Sequence, residues 1–391
     1  MATTDRTATI ASRIFSPEGG AAAFRLAVLA DALESAGYAT TILTTRPPGG
    51  SPGARTRSTR SVRRFPVLRN RSGAVRGYLQ YASFDIPLFF RLLASPRAAI
   101  TIVEPPPTTG VAVRLASTLR RTPYAYFAAD VTSVAAAGIG VNRHIVRMLR
   151  LVESWVLRGA CVVLAVSNGV RDEVVALGAD PDRVVVVGTG VDTDIFRPDG
   201  DRADVDGPYL VYAGTMSEIQ GASVLIDAFS RVADDHPGAR LLVFGQGMEE
   251  PALRARASEL AGDRIEFQGV VPGAEVARWL RGARAALASM APDGGYEFAH
   301  STKALAGLAC GTPVIYAGDG VTSDLIRDEE LGWAVPWAVD AVAVAMDAAL
   351  SSEPGPDRRA RLAARVADGF SLRSVAENAV RALALATTPA A

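Results

Sequence analysis

Lys303 is the only lysine in a chain whose lysines and arginines together number 41. It stands in "HSTKALAGLACG", His300 to Gly311, where Ser301 or Thr302 can cap a helix and Gly311 can end it before the strand "TPVI". A lysine in the first turn opposes the helix dipole, and an anion bound at that end removes the conflict. Lysine offers phosphate a compact point charge that arginine's planar fork does not replace freely. The bland alternative is a solvated lysine, but surface positions in this chain were free to become arginine and this one did not.

Other stretches carry chemistry of lower specificity. Asp130 ends the apolar run "YAYFAAD", where it can hold a hydroxyl, act as a base or cap the next turn. In "SPEGGAAAF", Glu18, Gly19 and Gly20 precede a helix, and the paired glycines either let a ligand approach the backbone or make a tight turn. Gly245 and Gly247 in "VFGQGMEEPAL" follow a strand and precede a helix, but Glu250 replaces the third glycine of a dinucleotide fingerprint, which argues against NAD. Gly214 and Thr215 in "YAGTMSEIQG" lead to a helix start near Gly221 whose amides can meet a diphosphate oxygen, or simply turn the chain. His144 and His236 read as surface groups, and His300 as loop filler beside the lysine motif.

These residues need a scaffold, and the pattern supplies one. Short apolar, β-branched runs alternate with helical periods, the signature of βα units and parallel sheets. The runs are "ATIASRIF", "YATTILT", "AAITIVE", "YAYFAA", "CVVLAVS" and "RVVVVG", then "YLVYAG", "RLLVFG", "RIEFQG", "AALASM", "TPVIYAG" and "GWAVP". At 391 residues two such domains are expected, joined in the turn-rich stretch Asp192 to Pro208. Open α/β sheets bind ligands at the carboxyl ends of their strands, so the expected site is a cleft between two facing sheets.

The 41 acids balance the basic residues, which removes any global pull toward nucleic acid. Eight arginines and no acid fall between Arg55 and Arg76, followed by the aromatic "GYLQYASFDIPLFFRLL". That segment reads either as a peripheral membrane contact or as a buried helix after a solvated loop. Cys161 and Cys310 form no CxxC or Cys/His cluster, so neither a disulfide framework nor a metal site is expected, and a reducing cytoplasm fits. No leader and no long apolar run suggests export or a membrane span.

Taken together, these stretches resemble the retaining glycosyltransferases of GT-B fold, family 4, in the branch that builds bacterial surface polysaccharides and related glycosides. The similarity rests on Pro17 to Gly20 with the helix and "GYATTILT" that follow, on Arg76 to Phe84 and "PPPTTG", on "AVSNGVRDEVVALG" with "VVVVGTGVDTDIFRP", and on "YAGT….QG" with "FGQGMEE". It spans nearly the whole chain, and the order and spacing of the motifs are more specific than any one of them. The resemblance implies two Rossmann-like domains: residues 1–197, binding the acceptor on the side of Glu18, Gly19 and Gly20, and residues 198–370, binding a nucleotide-diphosphate sugar. A last helix near 371–386 would return to the first domain.

It further implies that Lys303, with Ser301 and Thr302, contacts the donor diphosphate. Gln220 and Gly221 match the family's "QG" pair, Gly245 and Gly247 its glycine loop, and Val270 and Val271 the positions whose backbone meets the base. Asp130 falls near the acceptor and the transferred sugar. The sequence departs from the pattern at Ala306, where a ribose-binding glutamate is usual, and at Phe298, with Glu297 beside it as a stand-in. Ser133 and Val134 replace a proline and a glutamate, and the arginine common after "GT" is absent.

The implied activity is metal-independent, retaining transfer of a hexose-type group to an acceptor hydroxyl on a small molecule or a lipid-linked one. The donor is a co-substrate and no cofactor is implied. Alternatives on the same fold are a nucleotide-sugar epimerase, a transferase forming a non-glycosidic bond, or a degenerate scaffold member.

Overall fold

The computed structural model describes residues 6–18, 21–47, 60–70, 73, 75, 77–138, 140–292 and 297–387. The chain divides into two compact units, Met1–Gly188 with Leu372–Ala391, and Thr189–Ser371. The crossing lies at Gly188/Thr189, so Asp192 to Pro208 belongs wholly to the second unit. There Val191 N donates to Phe370 O at 2.9 Å.

The first unit is a seven-stranded, all-parallel sheet. Its strands are β1 (Arg6–Ala11), β2 (Tyr38–Thr45), β3 (Ser61–Phe65), β4 (Ile100–Val103), β5 (Tyr124–Ala128), β6 (Val162–Ala165) and β7 (Val184–Val186). Their spatial order is β3-β2-β1-β4-β5-β6-β7. Strands β4, β5 and β6 are buried at every position, as a parallel sheet covered on both faces requires. One helical layer holds α2 (Tyr78–Ala94), α3 (Pro107–Arg120) and α5 (Arg143–Gly159), α3 packing against both of the others. The right-handed crossover rule puts α1 (Ala21–Ser35) on the opposite face, and α14 (Leu372–Thr387) packs against α1 and β6. Two short helices complete the unit, α4 (Thr132–Gly138) and α6 (Asn168–Ala176), the second capped by the Ser167 hydroxyl accepting from Val170 N.

β3 is the strand the sequence did not announce. It lies at the sheet edge inside the arginine run, and its residues "SVRRF" are half-buried or exposed, without the apolar alternation that marks a covered strand.

The second unit is a six-stranded parallel sheet of β8 (Tyr209–Ala213), β9 (Arg240–Phe244), β10 (Ile265–Gly269), β11 (Ala285–Ser289), β12 (Val314–Ala317) and β13 (Gly332–Val335), ordered β10-β9-β8-β11-β12-β13. All six occupy the apolar runs expected from sequence. Around them stand α7 (Ser223–Val232), α8 (Glu250–Leu260), α9 (Gly273–Gly282), α10 (Thr302–Ala309), α11 (Val321–Asp328), α12 (Val339–Leu350) and α13 (Pro356–Gly369). Leu225 and Phe229 of α7, Met346 of α12, Leu210 of β8 and Leu287 of β11 belong to one buried apolar cluster. Strand order reverses between β1 and β4 in one sheet and between β8 and β11 in the other. Those two points are where strand ends splay and a ligand can enter. Among the described residues, no helix is long and apolar enough to cross a membrane.

Candidate functional site

In the second unit the switch point gathers the lysine motif. Ser301 caps α10, its hydroxyl accepting from Ala304 N at 3.4 Å, and its own amide donates to Thr322 Oγ1 at 2.9 Å. That leaves the amides of Thr302 and Lys303 at the helix start without a partner among the described residues. The Lys303 stem crosses the backbone at the end of β8, so closely that a Cβ on Gly214 would overlap its Cε. Its ammonium sits 5.9 Å from the centre of the Tyr212 ring.

Among the described residues no carboxylate lies within ion-pairing distance of this ammonium, and desolvation pulls its pKa down to about 8. The glycine at 214 is thus explained: it makes room for the lysine. A cation without a counter-charge, at the positive end of a helix dipole, fits an anionic group.

The other residues assigned to the donor side have local duties. A Cβ on Gly245 would strike Gly214 O, and one on Gly247 would strike Met216 O. These glycines therefore let the β8 and β9 loops touch, with Met216 N donating to Gln246 O at 3.1 Å. Gly221, at φ 54°, lies under Trp337, whose indole N–H donates to its carbonyl at 3.1 Å. Gln220 accepts from the Ser217 hydroxyl at 2.8 Å, and its carbonyl accepts from Ser289.

Tyr212 OH donates to Thr215 O at 2.7 Å, which fixes the turn after β8. Glu297 O accepts from Val321 N at 2.9 Å, tying its loop to the start of α11. Val270 and Val271 follow β10 beyond its bulge, and the Val270 side chain is exposed. Ala306 sits on α10 one turn beyond Lys303. His300 stacks edge-on against Phe370 at 5.0 Å, and burial lowers its pKa.

In the first unit, the ends of β1, β4 and β5 enclose a cavity of about 100 Å³ lined by Ser12, Arg13, Arg25, Glu104 and Asp130, among others. Glu104 takes a 2.7 Å hydrogen bond from Ser12 and a 2.6 Å ion pair from Arg25. Arg13 stacks over Tyr81 at 4.1 Å. Two atoms here are buried without a partner among the described residues, Arg25 Nε and Asp130 Oδ1. Burial, then the Glu153 charge, pushes Asp130 up to about 6. Glu153 itself is buried on α5 and caps α4 by accepting from the Thr132 and Ser133 amides at 2.7 and 3.0 Å.

Of the residues named here as lining this cavity, the sequence singled out Asp130 and not Arg25, Glu104 or Arg13. Arg25 and Glu104 are distant in sequence and meet only because β1 and β4 are neighbours.

Glu18 is spoken for: its carboxylate pairs with Arg69 at 3.0 Å and accepts from Thr45 at 3.3 Å. Gly19 and Gly20 lie outside the described residues, as does part of the Arg55 to Arg76 run. Of the run's described arginines, Arg60 pairs with Asp31 and Glu34, Arg64 donates to the Thr45 carbonyl, and Arg69 holds Glu18. Among the described residues no His, Cys, Asp or Glu cluster could hold a metal.

The two parallel sheets, one in each unit, agree with the family comparisons. A family model described as a glycosyl transferase 4-like domain matches residues 20–190, and one described as glycosyl transferases group 1 matches residues 207–352. The chain belongs to the glycosyltransferases of GT-B fold, family 4 type. It is 33% identical over 262 residues to the D-inositol 3-phosphate glycosyltransferase of Frankia alni, covering 61% of this chain and 62% of that one. To the protein of that name from Kribbella flavida it is 31% identical over 256 residues, covering 60% and 59%.

The chain thus spans less than two thirds of the length of these curated relatives. Among solved structures it is similar in fold to sucrose-phosphate synthase from Thermosynechococcus elongatus, with TM-score 0.77, 18% identity and 96% and 98% of the two chains covered. Anabaena Alr3699/HepE in complex with UDP and glucose gives 0.69, 14%, and 97% and 100%.

Proposed function

We propose that the protein transfers a glycosyl group from a nucleotide-diphosphate sugar to an acceptor hydroxyl, with retention at the anomeric carbon and without a metal. The observation that carries this reading is the Lys303 ammonium, unpaired among the described residues, beside the amides at the start of α10 that are uncovered among them. A diphosphate leaving group gains negative charge as the glycosidic bond breaks, and a fixed cation with helix amides stabilises it where a divalent ion otherwise would. The second unit is the donor domain, its loops after β8 and β9 shaping the phosphate subsite around Gly214, Thr215, Gly245 and Gly247. The nucleotide extends toward the backbone of Val270 and Val271, and Glu297 or main-chain groups hold the ribose in place of a carboxylate at 306.

The first unit is the acceptor domain. A hydroxyl in its cavity can accept from Arg25 Nε–H and donate to Asp130 Oδ1, satisfying both orphaned atoms at once. The acceptor therefore carries a hydroxyl that both accepts and donates in this cavity. HepE has been solved with UDP and the curated relatives are named for an inositol phosphate, so UDP-sugars and polyol phosphates are the first pair to try. A reducing, cytoplasmic setting suits the two free thiols, Cys161 and Cys310.

Calorimetry with UDP, GDP and dTDP tests the donor half: binding to wild type that Lys303→Ala weakens is expected, and absence of binding to all three would sink the proposal. Product NMR reads the anomeric outcome, and turnover unchanged by EDTA reads the metal independence.

A further inference from the structure

Half of the large apolar side chains exposed among the described residues, nine of eighteen, lie on three adjacent helices of the first unit. α2 presents Leu79, Ile86 and Phe90 at helical spacing, between 60 and 73% exposed. α5 presents Met148, Leu151 and Trp155, and Leu115 and Leu119 of α3 fill the space between. Arg114 of α3 stacks over the Trp155 ring at 4.1 Å, so the rows on α3 and α5 are continuous. An apolar patch this concentrated is unusual on a surface that faces only water.

The charge around it has one sign. The three helices hold seven arginines and two carboxylates, in a chain whose total charge is zero. Both carboxylates turn inward: Asp85, 6% exposed, accepts from the Thr109 hydroxyl, and Glu153, 2% exposed, caps α4. Arg91 and Arg120 are directed to backbone carbonyls. Arg143, Arg147, Arg150 and Arg158 have no carboxylate partner among the described residues.

We propose that the outer face of the α2, α3 and α5 layer docks on an anionic lipid bilayer, with the helices lying in the headgroup plane. Apolar and indole groups enter the acyl boundary while arginines meet lipid phosphates. A second copy of the chain is a poor occupant, since a two-fold contact would set one arginine row against the other. Arg60, Arg64 and Arg69 are outside this face, because their partners are internal.

The test uses the full chain and vesicles of phosphatidylcholine, with or without phosphatidylglycerol. Sedimentation should show binding only with phosphatidylglycerol, weakening as salt is raised. Arg147→Gln with Arg150→Gln should lower partitioning about 30-fold, the effect of removing two near-surface cations, with an unchanged melting temperature because both are exposed. Trp155 is the only tryptophan of the first unit, so acyl-brominated lipid should quench it, and Trp155→Phe should abolish that quenching while the protein still sediments.

Failure to bind phosphatidylglycerol vesicles, binding indifferent to the double variant, or an unquenched Trp155 would each overturn the proposal. So would a dimer in light scattering that Leu151→Ser dissociates, or an acidic protein competitor that the vesicles cannot displace.

Discussion

At the end of β8 a single ammonium lies over Gly214 with no counter-charge among the described residues, whereas at the ends of β1, β4 and β5 Arg25 is already paired with Glu104 and two buried atoms are left over. The difference lies in what each site lacks. The lysine site lacks negative charge, so it complements a ligand that brings its own. The acidic and basic cluster is nearly balanced and lacks one donor and one acceptor, which a neutral hydroxyl supplies. Similar folds thus present an electrostatic site in one unit and a hydrogen-bonding site in the other.

The comparison breaks most visibly at Lys303. Lys303→Ala should cut transfer by about 10²–10³, the usual loss for one leaving-group or oxyanion donor, and weaken UDP binding while acceptor affinity stays as it was. Because its pKa sits near 8 in the folded chain, free protein loses the charge as pH rises through that value, and UDP affinity should fall with it. Calorimetry between pH 7 and 9 reads this, and a flat profile would contradict the electrostatic role.

Asp130 gives the next effect, and on stability. Its carboxyl is raised from 3.8 to about 6, so between those values the folded chain binds a proton that the unfolded chain has released. Stability should therefore fall as pH rises from about 4 to 6. Asp130→Asn should recover up to about 3 kcal/mol at pH 7 and little at pH 4, as measured by denaturant melts. In the second unit, Gly247→Ala drives a Cβ into Met216 O and should cost about 1–3 kcal/mol, with limited proteolysis showing the damage confined to that unit. Removing the α10 cap with Ser301→Ala is the mildest change, about 1 kcal/mol. It should shift the melting temperature slightly and UDP affinity by a few fold.

How far the sequence could be read follows the same division. The second sheet was legible because each strand is an apolar run closed by a turn, and Lys303 was legible because its rarity marks it. The acceptor-side cluster was not, since Arg25 on α1 and Glu104 after β4 carry no local signal and are joined only by sheet order. β3 was hidden by its arginines, α4 and α11 by their brevity. The glycines at 245 and 247 were visible, but their reason was not: spacing alone cannot distinguish a loop opened for a ligand from one pressed against a neighbouring loop.

α14 carries a consequence for biosynthesis. Leu372, Val375, Ala379 and Leu383 are buried within the first unit, where α14 packs on α1, yet this helix is translated after the entire second unit. Emerging from the ribosome, the second unit has all of its own strands and can close first. The first unit must wait, its α1 face bare, until the final helix arrives. Nascent chains stalled before Leu372 should bind hydrophobic-surface chaperones through the earlier-made half of the protein.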